Sequence, residues 1–157
     1  MEPNEERRDF DDGLEADGEP GADEGPADKG PESEHESTYA LLQRGQELLR
    51  RHHHAQAAIV LERAARSEPG KGSILEALGQ AYYNSGQHER SRETFEALLE
   101  VDPSAHYAHY ALGQSLKQLG RLREARTHLR LAVALSPGSG LYKRALNRLG
   151  PAEPRSE

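Results

Sequence analysis

The sequence has no cysteine and no tryptophan, and hydrophobic residues occupy only 34% of its 157 positions. Without cysteine, the chain cannot form a disulfide framework, a thiolate metal site or a cysteine nucleophile. No run of about 18 apolar residues occurs, so we expect no membrane-spanning helix and no membrane partner. The acidic opening residues lack the apolar stretch of a secretory signal, so the cytoplasm is the expected location.

An acidic N-terminal arm, residues 1–37, accounts for much of the low hydrophobic content. It holds 15 Asp and Glu against three Lys and Arg, a formal net charge of −12, whereas residues 38–157 carry +5. Such a segment has too little apolar surface to offset the entropy of ordering it, so we predict that it is disordered. Two interpretations stay open, an arm that contacts something basic and an arm that only solubilises. A further hypothesis is that it folds back on the domain and competes with an acidic ligand.

A 34-residue repeat dominates the rest of the chain. The tripeptide Leu-Gly-Gln at 78–80 recurs at 112–114, and proline recurs at Pro69, Pro103 and Pro137. A fixed period of this length is typical of a stacked array of helical hairpins. The sequence therefore predicts an all-α fold. Its units are three hairpins at 38–71, 72–105 and 106–139, a capping helix at 140–149 and a disordered tail at 150–157.

Small and large side chains recur within each repeat in a pattern that allows close helix packing. When the unit is numbered from Thr38, Gly72 and His106, position 8 is always glycine, and position 20 on the facing helix is alanine or serine. Positions 11 and 24 are large and apolar, so we expect the small residues to make room and the large ones to fill the core. In the order of positions 8, 20, 11 and 24, the residues are Gly45, Gly79 and Gly113; Ala57, Ser91 and Ala125; Leu48, Tyr82 and Leu116; and Leu61, Phe95 and Leu129.

This order of glycine, alanine, aromatic and proline resembles the tetratricopeptide repeat (TPR), over residues 38–149. The resemblance implies a TPR-type α-solenoid of three helix-turn-helix repeats and a capping helix, serving as a non-enzymatic scaffold or adaptor for protein binding. The sequence departs from the family pattern at Arg44, where the other repeats have leucine at position 7, and at His52, which replaces glycine at position 15. An arginine at an apolar position suits a first repeat with no neighbour on one side.

The resemblance also implies a binding groove, because in this family positions 2, 5, 9, 12 and 13 of each first helix line a concave face. Glutamine stands at position 9 of every repeat, and three such amides could hold the backbone of an extended peptide while tyrosines supply contact area. The alternative is that the glutamines are solvated helix formers and the tyrosines belong partly to the core. The implied groove residues are Tyr39, Leu42, Gln46, Leu49, Arg50, Ser73, Glu76, Gln80, Tyr83, Asn84, Tyr107, Tyr110, Gln114, Lys117 and Gln118.

Other classes of function find little support in the sequence. It contains no nucleophile elbow, no phosphate-binding glycine loop and no HExxH motif, so we expect neither enzymatic activity nor a cofactor. Three consecutive histidines at 52–54 would point in different directions from a turn, so we expect no metal site. One TPR sub-family binds acidic chaperone C-termini through Lys, Asn and Arg, and binding of that kind is not expected here. The matching positions hold Leu42, Gln46, Ala77, Tyr107 and Ala111.

The alternative function uses the outer surface of the last hairpin. Arg123, Arg126 and Arg130 share one face of its second helix, and Arg144 and Arg148 follow. A basic convex face of this kind suits an acidic protein or RNA. Because the attached arm carries −12, binding to nucleic acid is less favoured than binding to another protein or peptide. Self-association through the ends of the stack is a third possibility, and the sequence does not identify the partner.

Overall fold

The computed structural model describes residues 36–152, and these form seven α-helices joined by short turns. Residues 1–35 and 153–157 lie outside the described part of the chain, and with them nearly all of the predicted arm and most of the predicted tail. The all-α repeat architecture is confirmed. The helices are α1 Thr38–Arg50, α2 His54–Ser67, α3 Gly72–Asn84, α4 His88–Val101, α5 His106–Gln118, α6 Leu122–Leu135 and α7 Gly140–Leu149. None of these described helices is long and apolar enough to cross a membrane.

The helices pair as hairpins, α1 with α2, α3 with α4 and α5 with α6, and each hairpin packs on the next. The first helices, α1, α3 and α5, also contact one another, more extensively than the second helices do. A stack whose first helices converge curves toward them. The solvent-facing side of α1, α3 and α5 is therefore the concave face of the array.

A glycine at position 8 allows the two helices of each hairpin to approach closely. A Cβ atom added to Gly79 would lie 2.5 Å from Cζ of Phe95, and one added to Gly45 would lie 2.4 Å from Cγ of Leu61. The glycines therefore make room, as predicted, but mainly for the large side chain at position 24 of the partner helix. The small residue at position 20 also faces the glycine: the backbone oxygen of Ala125 lies 3.3 Å from a Cβ atom added to Gly113, and the hydroxyl of Ser91 donates to the carbonyl oxygen of Gly79 at 3.1 Å.

The turn inside each hairpin requires a left-handed backbone at position 15. Gly86 and Gly120 adopt φ values of +86° and +80° there. His52 occupies the same position in the first repeat and adopts φ +64°. Because a Cβ atom disfavours this region, the first hairpin contains a strained residue where the others have an unstrained glycine.

The first helix begins at a side-chain cap that precedes the repeat. Ser37 is the N-cap of α1, and its hydroxyl accepts a hydrogen bond of 3.0 Å from the amide of Ala40. Arg44 turns toward solvent and pairs with Glu36, with 2.8 Å between Nη1 and Oε1. The arginine at an apolar repeat position is therefore satisfied by the residue that leads into the domain, although an exposed pair of this kind adds little stability.

Helix α7 occupies the place that the first helix of a fourth repeat would take. Tyr142 is buried, and its ring stacks on that of Tyr110 with 5.1 Å between centroids. At the other end of α7, Arg126 donates from Nη2 to the backbone oxygens of Gly150 and Pro151, both at 2.9 Å. These contacts hold α7 against α5 and α6, so it covers the apolar side of the last hairpin.

Candidate functional site

A polar contact lies on the concave face where α3 meets α5. Gln80 donates a hydrogen bond of 3.0 Å from Nε2 to the phenolic oxygen of Tyr107. Burial raises the pKa of Tyr107 well above its usual value, and the nearby Glu76 carboxylate adds to this effect. Burial also raises the pKa of Glu76. Tyr107 is therefore neutral at physiological pH, and its hydroxyl keeps a proton that it can donate to an acceptor.

Aromatic rings run along α5 beneath this polar centre. The ring of Tyr107 lies 6.3 Å from that of Phe95 and 5.9 Å from that of Tyr110, between centroids. Tyr142 continues the series, and its hydroxyl oxygen lies 2.8 Å from Nδ1 of His106. Burial raises the pKa of Tyr142 to about 12. Since Tyr110 is 0% exposed, it supports the face from within and offers no surface of its own.

Two amides on the concave side carry hydrogen-bonding groups that the described residues do not use. Gln114 is only 3% exposed, and its Oε1 has no partner within residues 36–152. Both polar atoms of the Asn84 side chain are in the same situation. Because a buried polar atom is costly to leave unpaired, these groups favour any arrangement that supplies donors and acceptors beside them.

The N-terminal end of the face is more open. Tyr39 is 68% exposed, and its hydroxyl accepts from Nε2 of Gln43 at 2.8 Å. Leu42 is buried, Gln46 and Leu49 are half-buried, and Ser73 is exposed. Arg50 is exposed and pairs with Glu47 along its own helix, with 2.6 Å between Nη2 and Oε1. Tyr39 is therefore the main exposed aromatic surface at this end.

The C-terminal end of the face is basic. Lys117 is half-buried and Gln118 is exposed. Because α7 follows the 34-residue register, Arg144 and Arg148 stand at positions 5 and 9, those of Tyr110 and Gln114 in the preceding repeat. They therefore belong with the concave face, not with the outer arginine surface to which we assigned them from the sequence. The register already contained this information.

The structure also changes the outer arginine surface. Arg126, which we expected there, is 8% exposed and turned inward to the carbonyls that end α7. Arg123 and Arg130 are exposed as expected. The predicted three-arginine face therefore reduces to two side chains, and Tyr83, which we placed in the groove, is buried in the core beside Phe95.

A histidine pair lies between α5 and α6. His109 must donate from Nε2 to the carbonyl oxygen of Pro103 at 3.0 Å, which leaves its Nδ1 to accept from Nδ1 of His128 at 3.1 Å. Burial lowers the pKa of His128, as does the neighbouring His109, whereas Glu96 and Glu124 act in the opposite direction. The described residues contain no group of three or more His, Cys, Asp or Glu that could hold a metal ion.

Comparison with known sequences gives a consistent result. The profile of the family described as "Tetratricopeptide repeat" matches residues 42–91 and 76–140. Superkiller complex protein 3 of Mus musculus is 30% identical over 112 residues, which are 71% of this chain and 7% of the mouse protein. The Homo sapiens protein of that name is 30% identical over 87 residues, 55% of this chain and 6% of the human protein. The chain thus spans less than a tenth of the length of either relative.

Solved structures with the same fold include three proteins of 14–22% identity. YrrB, described as a TPR protein with an unusual peptide-binding site, has a TM-score of 0.68 and 22% identity, covering 70% of this chain and 57% of its own. The first TPR of Spaghetti (RPAP3), bound to the HSP90 peptide SRMEEVD, has a TM-score of 0.68 and 14% identity, covering 71% and 89%. MamA from Desulfovibrio magneticus RS-1 has a TM-score of 0.71 and 21% identity, covering 74% and 67%.

Proposed function

The chain belongs to the tetratricopeptide repeat family, and we propose that it is a protein-interaction scaffold that binds an extended segment of another protein along the concave face. Members of this family are generally non-enzymatic interaction modules, and the cytoplasm is the compartment that we propose. The observation that carries the proposal is the contact between Gln80 and Tyr107, which places an amide and a neutral phenol together on the face.

The spacing of the repeats suits an extended ligand. Packed helices lie about 8–10 Å apart, and an extended chain advances about 3.3 Å per residue. The two half-buried glutamines, Gln46 and Gln80, would then contact the ligand about three residues apart. A side-chain amide both donates and accepts, so it can bond the ligand backbone without selecting a sequence.

The similar structures support a peptide as the class of ligand, but they do not identify the peptide. YrrB is described as having a peptide-binding site, and the TPR of Spaghetti is bound to an HSP90 peptide. None of the residues at the corresponding clamp positions here, among them Leu42 and Ala111, carries a charge that could meet a C-terminal carboxylate. We therefore do not extend the chaperone peptide to this chain.

The test compares two sets of substitutions in affinity capture from the lysate of the source organism. The concave variant combines Tyr39→Ala, Gln80→Ala and Lys117→Ala, all at positions that are at least partly exposed. The convex control combines Arg123→Ala and Arg130→Ala. Both variants should keep the helical circular dichroism of the wild type, because no core side chain is changed.

We expect the affinity of the concave variant for a specific partner to fall about tenfold or more, since each 1.4 kcal/mol of lost binding free energy lowers the affinity tenfold. The convex control should retain that partner. A partner that the concave variant keeps and the convex control loses would contradict the proposal. It would instead support the alternative, an acidic protein or RNA on the outer arginine surface.

A further inference from the structure

We propose that the concave face has an intramolecular ligand, residues 9–15 of the same chain, which dock at its α5–α7 end. The sequence of this segment is Asp-Phe-Asp-Asp-Gly-Leu-Glu. It holds Phe10 and Leu14, the arm's only large apolar side chains apart from the initial methionine, among four acidic residues. The docking itself does not depend on any partner, but its consequence, competition with a partner, rests on the function proposed above.

Charge complementarity is the first argument. Residues 1–35 hold 14 Asp and Glu against three Lys and Arg, a formal net charge of −11. Within the described residues the opposite charge is not spread evenly. Residues 36–101 hold eight Lys and Arg against nine Asp and Glu, whereas residues 102–152 hold eight against two, a net charge of +6. An acidic segment is therefore attracted to the C-terminal end of the stack.

The second argument is how the cations of residues 102–152 are distributed. Arg126 is turned inward to backbone carbonyls, and Arg123 and Arg130 are exposed on α6. Lys117 and the two arginines at positions 5 and 9 of α7, Arg144 and Arg148, stand in the register of the concave face.

Apolar surface accompanies these cations. Tyr107 and Leu141 are both at position 2, on α5 and α7, and both are partly buried against the core and partly exposed. An acidic segment that also carries Phe10 and Leu14 can bury its two apolar side chains here while its carboxylates meet the cations. Aromatic residues and arginine are enriched in protein interfaces.

The third argument is reach. The arm joins the domain at Glu36, directly before the Ser37 cap and three residues before Tyr39, which stands at position 2 of α1. It therefore enters at the edge of the concave face. The 22 chain steps from Leu14 to Glu36 can span up to about 75 Å, whereas three repeat steps of about 10 Å separate α1 from α7. The segment can reach the basic end with length to spare.

The absence of cysteine provides a direct test in the full-length chain. An Ala16→Cys substitution creates the only thiol, so a nitroxide attached there marks the arm beside Leu14 without side reactions. Broadening of backbone amide signals in NMR spectra then reports where the label lies. We expect the broadening to be concentrated on the concave positions of α5 and α7, among them Tyr107 and Arg144. Raising NaCl from about 0.1 M to about 1 M shortens the Debye length from about 10 Å to about 3 Å and should weaken it.

Matched charge reversals locate the docking site. Lys117→Glu with Arg144→Glu should remove the localised broadening, and Arg123→Glu with Arg130→Glu on α6 should leave it in place. Broadening centred on α6, or spread evenly over the domain, would overturn the proposal. Broadening that disappears when the labelled chain is diluted with unlabelled chain would mean that the occupant is a second copy, which would also overturn it.

Competition is measured separately with a partner. If the segment has a Kd of about 0.1 mM and an effective concentration of about 1 mM, chains with the face occupied outnumber chains with the face free by about ten to one. Changing Phe10 and Leu14 to alanine and Asp9, Asp11 and Asp12 to asparagine should then increase partner capture about tenfold. If the label shows docking but capture does not change, the partner uses another surface, and the proposed function fails while the intramolecular contact stands. If the label shows no docking, the intramolecular contact fails and the proposed function is unaffected.

Discussion

The close approach of Gly79 and Phe95 makes a quantitative prediction about how the middle hairpin is held together. An alanine methyl at position 79 would lie 2.5 Å from Cζ and 2.6 Å from Cε2 of the Phe95 ring, and Phe95 is fully buried. The ring cannot move away into solvent, so α3 and α4 must separate. Overpacking of a filled core costs about 1–3 kcal/mol, and we expect Gly79→Ala to lower the free energy of unfolding by that amount.

The substitution Phe95→Ala removes the ring that the new methyl would meet, whereas leucine would not, because Leu61 approaches Gly45 just as closely at this repeat position. Alone, Phe95→Ala leaves a large cavity, so we expect a loss of about 3–5 kcal/mol. In the double variant the alanine methyl enters the space vacated by the ring, so the two losses should not add. We expect the double variant to be at least about 1 kcal/mol more stable than the sum of the single losses predicts.

Urea unfolding, monitored by far-ultraviolet circular dichroism, gives the free energy of unfolding of the wild type, the two single variants and the double variant. Gly138→Ala provides a control, because nothing lies within 4 Å of a Cβ atom there and Gly138 is not among the residues with positive φ. Its unfolding free energy should change by less than about 0.5 kcal/mol. If the Gly79 and Phe95 losses add within about 0.5 kcal/mol, the contact does not set the helix spacing, and the argument from the glycine is wrong.

Three further predictions concern single positions. His52→Gly should stabilise the domain by about 0.5–1 kcal/mol in thermal unfolding, because it removes a left-handed histidine, whereas Gly86→Ala should destabilise it by a similar amount. Arg126→Met should cost about 1–3 kcal/mol, because it removes two charge-assisted hydrogen bonds to carbonyls, and hydrogen exchange should speed up in α7 first. The lowered pKa of His128 means that the unfolded chain binds more protons, so stability should fall as the pH drops through about 6.5 toward the folded pKa. In His128→Asn, which retains Nδ2–H as a donor for Nδ1 of His109, this pH dependence should be smaller, and an unchanged pH profile would count against the assignment.

The sequence predicted the architecture because the repeat period records it several times. A glycine that faces a large side chain and a glycine that adopts positive φ, Gly79 and Gly86, each recur 34 residues later as Gly113 and Gly120. The same register also predicted the helix boundaries to within a few residues. The turn at His52 shows the limit, because a repeat can keep a backbone conformation after losing the residue type that indicates it.

The candidate site was less predictable, because a repeat position fixes the side of a helix but not how deeply the side chain is buried. Arg126 shows this on the outer surface. Its place in the helix predicted exposure beside Arg123, but the end of α7 brings two carbonyl oxygens within 2.9 Å of its guanidinium group. A contact with a segment about 25 residues further along the chain leaves no signal in the local sequence pattern.

The three glutamines at position 9 show the same effect on the concave face and indicate what the last helix does. Gln46 and Gln80 are half-buried, whereas Gln114, in identical register, is almost completely buried. Gln114 lies one helical turn after Tyr110, on which the ring of Tyr142 from α7 stacks. Helix α7 therefore does more than cover the apolar end of the stack, because one repeat step after Gln114 it presents Arg148 at the same repeat position. A neutral array of amides thus becomes basic at one end, and a ligand that spans the face would need an acidic end to match it.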